Sequence, residues 1–124
     1  MDEQENKKIR NFGDLEIWKR GIEIVKGTYG ATRSFPRHEI FGLSGQMQRS
    51  AISIPSSVAA GFNRLHNREC QRFLYIALGS CAELETQIEI TAELNHFASD
   101  GTAMLLETLG HETRMIRNLL TRLD

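Results

Sequence analysis

Residues 49–61, RSAISIPSSVAAG, place a proline in the middle of a helical pattern. Apolar residues in and around this stretch recur three or four positions apart, as on one face of an α-helix, at Met47, Ala51, Ile54, Val58 and Phe62. Pro55 removes one backbone hydrogen bond from such a helix and clashes with the carbonyl group of Ala51. The pattern therefore predicts a helix over about residues 40–64 with a kink at Pro55.

A first helix is predicted upstream of this segment. Asp14 can cap its N-terminus, and its expected apolar face consists of Leu15, Trp18, Ile22, Val25 and Tyr29. Pro36 ends it, because a proline restricts the preceding residue, Phe35, to extended geometry.

Two more helices are predicted downstream. Asn67 can cap a third helix over about residues 68–96. A fourth begins near Ser99 or Asp100 and carries the apolar residues Leu105, Leu109, Ile116, Leu120 and Leu123. No segment shows the two-residue alternation of a half-buried strand. The predicted fold class is therefore all-α, an antiparallel up-down four-helix bundle.

The chain length of 124 residues suits one domain. Residues 1–11 lack apolar periodicity, so we expect a flexible N-terminal segment followed by a single domain over residues 12–124. The N-terminus is polar, and no apolar run approaches a membrane span, so we expect no membrane association. Cys70 and Cys81 lie too far apart on one predicted helix to form a disulfide. Free thiols without a leader suggest a cytoplasmic location.

The second and third helices carry more buried-type faces than a monomeric bundle needs. Small or short polar residues form a row on the second helix, at Gln46, Ser50, Ser53, Ser57, Ala60 and Gly61. The third helix carries two stripes, one with Leu74, Leu78, Cys81, Glu85 and Ile88, the other with Phe73, Ile76, Ala77, Ser80, Leu84 and Gln87. This surplus predicts a subunit interface. Close packing of the two helices within one chain is the alternative.

Glu85 falls within one of these stripes, where an unpaired charge would be costly. Arg49 lies beside the row of small residues on the second helix. We therefore predict a buried Glu85–Arg49 pair that fixes the helix register. Acid–base chemistry by a buried carboxylate is the alternative interpretation of Glu85.

No catalytic or metal-binding motif is present in the sequence. Glu93 and His96 have the spacing of a di-iron half-motif, but the second copy and the additional glutamates are missing. The four histidines lie in separate segments without zinc-ligand spacing. The serines around Pro55 do not form a hydrolase nucleophile elbow, and no glycine-rich phosphate loop occurs. We expect no enzyme activity, no metal and no cofactor.

Charge is unevenly distributed along the nearly neutral chain. Residues 33–72 contain six arginines and two glutamates, a net charge of +4, whereas residues 73–124 carry three basic and eight acidic residues, a net charge of −5. One basic cluster surrounds the turn between the second and third helices, at Arg64, His66, Arg68 and Arg72. Arg33 and Arg37 lie near the other end of the second helix. The charge asymmetry indicates either an interaction face or pairing of basic and acidic helices within the bundle. The six basic residues either contact nucleic acid or are ordinary solvated side chains.

Two segments resemble a known family. FGLSGQMQRSAISIPSSVAAGFNR (41–64) and ECQRFLYIALGSCAELETQIEI (69–90) are similar to the four-helix-bundle proteins encoded in intervening sequences of 23S ribosomal RNA genes. That family is related to the accessory variability determinants of diversity-generating retroelements. The similarity covers roughly residues 12–122. Ser57 and Ala60 replace the asparagine and glutamate usual in the family, so a glutamate-dependent contact is absent here.

The resemblance implies a homopentameric barrel without a catalytic site. Family members bind nucleic acid, and the retroelement members also bind a reverse transcriptase. The resulting hypothesis is a non-enzymatic, homopentameric accessory protein that binds RNA or DNA through phosphate contacts. The alternative is a protein-binding scaffold that recruits a partner such as a reverse transcriptase without touching nucleic acid.

Overall fold

The computed structural model describes residues 16–96 and 99–123, and in these ranges the chain contains four α-helices and no strand. The helices are α1 (Lys19–Thr32), α2 (Leu43–Phe62), α3 (Asn67–Glu93) and α4 (Ser99–Arg122). A single 3₁₀ turn, Arg37–Glu39, lies between α1 and α2. The all-α prediction is confirmed for this part of the chain. The expected flexible segment 1–11 and the Asp14 cap lie outside the described residues.

The helices form an up-down bundle in which α1 contacts α2 and α4, and α3 contacts the same two helices. Hydrogen bonds and close contacts show that neighbours along the chain run antiparallel. The start of α3 lies beside the end of α2, where a Cβ added at Gly61 would be 3.2 Å from that of Phe73. About two helix turns further along α3 and back along α2, Ser80 donates a hydrogen bond to Ser53. Among the described helices, none is long and apolar enough to span a bilayer.

The core is built from positions that repeat every three or four residues. On α3 the buried residues are Cys70, Leu74, Ala77, Cys81, Leu84, Ile88 and Thr91, with Ser80 on the flank toward α2. On α4 the buried stripe contains Leu105, Leu109, Glu112, Ile116, Leu119 and Leu123. This spacing keeps one seam of each helix against its neighbours along most of the bundle's length.

The buried face of α1 differs from the predicted one. Of the predicted face, Trp18 and Tyr29 are 41% and 42% exposed, Ile22 and Val25 are half-buried, and Leu15 lies outside the described residues. The fully buried residues are instead Gly21, Ile24, Thr28 and Thr32, with Ile17 just before the helix. The two threonine hydroxyls donate hydrogen bonds to the carbonyl oxygens four residues earlier, each at 2.8 Å. Because these bonds satisfy the hydroxyls locally, threonine can be buried, and a pattern based on large apolar residues selected the wrong flank.

The row of small residues on α2 packs largely within the chain. Ser50, Ser57 and Gly61 are buried, and Ser53 accepts a hydrogen bond from Ser80 of α3 at 2.7 Å. A Cβ added at Gly61 would lie 3.2 Å from the carbonyl oxygen of Cys70. Close packing of α2 on α3 therefore accounts for much of this row without a second subunit. Pro55 lies inside α2 and is buried, whereas its predicted kink stays a prediction.

Different hydrogen bonds stabilise the two ends of α3. Asn67 is its first residue rather than the cap, and its side-chain amide donates a hydrogen bond to the carbonyl group of Leu123, 3.3 Å away. At the other end, Asn95 adopts a left-handed φ of 58°. The amides of Asn95 and His96 bond to the carbonyl groups of Ala92 and Thr91, which terminates the helix at Glu93. The predicted end near residue 96 was three residues too far.

Candidate nucleic-acid interface

The turn between α2 and α3 presents the four residues that we call the basic turn: Arg64, His66, Arg68 and Arg72. All four are exposed. The guanidinium of Arg64 lies 4.6 Å from the ring centroid of Phe73, a cation–π contact that fixes this arginine beside the start of α3. Glu69, in the first turn of α3, is the acidic residue within this stretch. The basic turn can therefore present several positive charges to an anion.

The bundle adds an arginine that the sequence analysis did not include. The hydrogen bond from Asn67 to Leu123 brings the C-terminal end of α4 to the basic turn. Arg122, in the last turn of α4, is exposed at the same end. An up-down topology alone would have indicated this, because the fourth helix must end where the second helix ends.

Arg33 and Arg37 lie at the opposite end of the bundle. Arg33 follows α1, Arg37 belongs to the 3₁₀ turn, and both are exposed. The intervening helix α2 has 20 residues, so the two clusters are roughly 30 Å apart along its axis. The six predicted residues thus form two separate groups and cannot contact the same phosphate.

A contact between Glu39 and His96 connects the segments at that opposite end. Glu39 Oε2 lies 3.1 Å from His96 Nε2, and its Oε1 accepts a hydrogen bond from the amide of Leu43. The ring of His96 also packs on Phe35, with centroids 5.3 Å apart. The hydrogen bond from Leu43 and the contact with His96 lower the pKa of Glu39. These contacts hold the α1–α2 connection against the end of α3. His96, the histidine of the di-iron half-motif, therefore has a structural role.

The predicted burial of Glu85 is wrong for the chain described here. Glu85 is exposed on α3, next to the buried seam rather than within it, because that seam passes from Cys81 to Leu84 and Ile88. Arg49 is exposed too, and it lines a groove between α2 and α3 together with Glu83. Among the described residues, no ion pair joins Arg49 to Glu85.

The remaining reactive side chains do not assemble a catalytic or metal centre in the described part of the chain. Cys70 and Cys81 are both buried, and their burial raises the thiol pKa to about 11 and about 12. Such thiols are protonated at neutral pH and unsuited to act as nucleophiles. Within the described ranges, no three His, Cys, Asp or Glu residues are grouped so that they could hold a metal ion.

One buried titratable residue escaped the sequence analysis. Glu112 is 0% exposed and occupies a core position of α4 between Leu109 and Ile116. Its signal was present, since the three- and four-residue spacing of the leucines on α4 passes through position 112. A pattern of apolar residues does not include this position, because carboxyl groups are rarely fully buried.

Comparison with known proteins yields one family. The sequence model of a family described as 23S rRNA-intervening sequence protein matches residues 13–118, which is most of the chain. No curated protein sequence matches it.

Proposed function

The chain belongs to the 23S rRNA-intervening sequence protein family, and we propose that it is a non-enzymatic accessory protein that binds RNA or DNA phosphates through the basic turn. The observation that carries the proposal is the cluster of exposed arginines at one end of the bundle, Arg64, Arg68 and Arg72, joined there by Arg122. Arginine side chains bind phosphate oxygens in a fork geometry.

The same proposal includes assembly into a homopentamer. A five-fold ring would repeat the basic turn five times, and repetition converts a few charges into a field that attracts a polyanion. Two exposed apolar side chains, Ile52 on α2 and Ile76 on α3, support this assembly, because they can be buried in contacts between subunits. Sedimentation equilibrium is expected to give a mass near five chains. A monomer at micromolar concentration would contradict the assembly.

Phosphate contacts predict binding that is strong at low salt and largely indifferent to sequence. The test is fluorescence anisotropy with labelled RNA and DNA across a salt series. The variant carries Arg64→Ala, Arg68→Ala and Arg72→Ala, and the control carries Arg33→Ala and Arg37→Ala at the opposite end. The triple variant should bind every sequence more weakly, with a log–log salt slope smaller by roughly one per lost phosphate contact.

The outcomes separate the sites. Weaker binding by the triple variant alone supports the basic turn. Weaker binding by the control alone moves the interface to Arg33 and Arg37. Wild-type protein that binds neither RNA nor DNA at low salt overturns the proposal. Both variants should keep the wild-type mass, because all five substituted side chains are exposed.

The second candidate is a protein-binding scaffold that recruits a partner such as a reverse transcriptase. Ile76, Glu83 and Ile90 recur every seven residues on α3 and therefore share one outer face. All three are exposed, with the two isoleucines at 44% and 43%. An apolar strip with one charge suits a protein surface better than a phosphate backbone. Loss of partner binding on Ile90→Glu, with nucleic-acid binding unchanged, would favour this candidate.

A further inference from the structure

Glu112 is a carboxylic acid among the polar residues buried in the core, and the proposed function gives it no role. Its side chain is fully buried, and neither carboxyl oxygen has a hydrogen-bond partner. An ionised carboxylate without partners is strongly disfavoured in such surroundings, whereas the neutral acid is tolerated far better. The protonation state of this one residue is therefore coupled to the packing around it.

The surroundings of Glu112 come from all three other helices. From α1, a Cβ added at Gly21 would lie 3.3 Å from Glu112 Oε2 and 3.0 Å from Pro55 Cβ, so the carboxyl group and the proline of α2 flank the same glycine. Cys81 faces it from α3 and is 1% exposed. The absence of a side chain at Gly21 provides the space that the carboxyl group occupies.

Few charged groups lie near Glu112. The charges of Arg20 and Glu23 on α1 interact electrostatically with Glu112. On α3 the nearby titratable groups are Cys81, which interacts with Glu112, and Glu85, which interacts with Cys81. The segment of α2 from 50 to 62 contains no titratable side chain, and the flanking titratable residue on α4 is the exposed His111. The Nε of Arg20 is itself buried without a hydrogen-bond partner. Arg20 is thus the cation toward which an ionised Glu112 would be drawn.

The seam between α1 and α4 is the one that Glu112 shares with Gly21 and Arg20. An unfilled groove of about 500 Å³ already follows it, lined by Gly27, Ala31, Leu105 and Thr108 among others. Both Gly21 and Arg20 belong to α1, so movement of Glu112 toward solvent or toward Arg20 passes along this seam. A groove also lies between α2 and α3, but Glu112 does not line it, and Ser80 donates a hydrogen bond to Ser53 across that seam.

We propose that Glu112 is a proton-sensitive switch in the bundle core: the neutral acid is compatible with the closed four-helix packing, and loss of its proton opens the seam between α1 and α4. The step is a simple ionisation in which the proton passes to solvent and no other group changes its oxidation or bonding. The switch biases the bundle between a closed and a locally opened state.

The electrostatics place this ionisation near neutral pH. Burial raises the pKa of Glu112 to about 8, with Arg20 opposing the shift and Glu23 adding to it. In the unfolded chain a glutamate ionises near its ordinary pKa of 4.5. Between these values the folded state binds more protons than the unfolded state, so stability falls as pH rises from about 4.5 to about 8 and is level above. The unfolding constant should increase over that window by roughly three orders of magnitude.

The first test measures chemical denaturation of the full chain from pH 5 to pH 9. Wild-type protein should lose stability with pH, with an unfolding constant that rises up to about tenfold per pH unit. Glu112→Gln replaces the ionisable carboxyl group with a neutral amide and should remove that rise, whereas the exposed control Glu107→Gln should retain it. The same alkaline loss in Glu112→Gln and wild type would overturn the proposal.

The second test needs no variant and therefore does not depend on whether Glu112→Gln folds. Iodoacetamide labelling under native conditions, followed by tryptic peptide mapping, compares the two buried thiols of the wild-type chain. Cys81 faces Glu112, whereas Cys70 lies roughly 16 Å away along α3. Both labelling rates rise with thiolate formation, but the Cys81 rate should rise up to about tenfold more per pH unit below pH 8. Identical pH dependence at both thiols would contradict local opening beside Glu112.

Discussion

The seam between α2 and α3 and the seam between α1 and α4 both contain small residues, yet they pack differently. Across the first, Gly61 brings the helices so close that a Cβ there would meet the Cys70 carbonyl oxygen at 3.2 Å. Across the second, a Cβ at Gly27 would meet only Leu105 Cδ1, and nothing lies within 4 Å of a Cβ at Gly30. Each seam thus has a closely packed part, at Gly61 in the first and at Gly21 in the second, and each borders a groove; in the α1–α4 seam the groove lies beside Gly27 and Gly30.

The buried polar groups of the two seams differ in kind. Ser80 donates to Ser53 at 2.7 Å, and Ser53 lies 3.5 Å from Ser57, so the serine hydroxyls of the α2–α3 seam satisfy one another, although Gln87 Oε1 beside them is buried without a partner. In the α1–α4 seam, both carboxyl oxygens of Glu112 and the Nε of Arg20 are buried without hydrogen-bond partners. An unpartnered amide oxygen stays neutral, whereas an unpartnered carboxyl group can ionise, so the α1–α4 seam contains the buried group whose charge can change.

The largest expected contrast comes from truncating one leucine of the fully packed core and one that borders the α1–α4 groove. Leu84→Ala removes a fully buried side chain from α3 and should lower the free energy of unfolding by about 3–5 kcal/mol. Leu105→Ala should cost nearer about 2 kcal/mol, because Leu105 borders the groove and leaves a smaller new cavity. Urea denaturation measures both. Equal losses would show that the two positions are equally well packed.

Alanine substitution of one glycine in each seam should change stability in opposite directions. Gly61→Ala is expected to destabilise by about 1–2 kcal/mol, because its Cβ meets a backbone carbonyl that cannot move aside. Gly27→Ala should stabilise by about 0.5–1 kcal/mol, because alanine favours the helix and the end of Leu105 can shift into the groove. Thermal denaturation distinguishes them, and a destabilising Gly27→Ala would refute the open character of this seam.

The serine contacts of the α2–α3 seam should have a smaller effect. Ser80→Ala removes the donor to Ser53 and is expected to cost about 1 kcal/mol. The Ser53→Ala, Ser80→Ala double variant should cost less than the sum of the single variants, because the loss of the Ser53–Ser80 hydrogen bond is then counted once rather than twice. A double-mutant cycle on denaturation midpoints measures the coupling. Strictly additive effects would mean that the two hydroxyls act independently.

The smallest effect concerns Glu39, whose pH dependence should oppose that of Glu112. Contacts with the Leu43 amide and His96 lower the pKa of Glu39. Its contribution to stability is therefore present above the ordinary glutamate pKa of 4.5 and is lost as pH falls through the lower folded value. Glu39→Gln should flatten the acid side of the stability profile and leave the change between pH 5 and pH 8 unaltered. A changed profile in that higher window would mean that another group dominates it.

Much of the candidate interface was accessible from the sequence. The arginines of the basic turn were identified by their position between two helical patterns, and all are exposed. The grouping was less accessible, because only the helix arrangement separates Arg33 and Arg37 from the basic turn and adds Arg122 to it. Sequence spacing says little about which residues meet once helices pack antiparallel.

The sequence by itself determined the four helices of residues 16–96 and 99–123 and most of their core. The spacing of apolar residues on α2, α3 and α4 predicted these helices within a few residues of their bounds, because that periodicity follows from backbone geometry. Tertiary structure decided which flank of α1 is buried, where Glu85 points and how Glu112 is accommodated. Each of these depends on neighbours from other helices: threonine hydroxyls that bond within α1, a seam that passes beside Glu85, and the space left by Gly21. A local pattern fixes the faces of a helix, but only packing decides which face becomes the core.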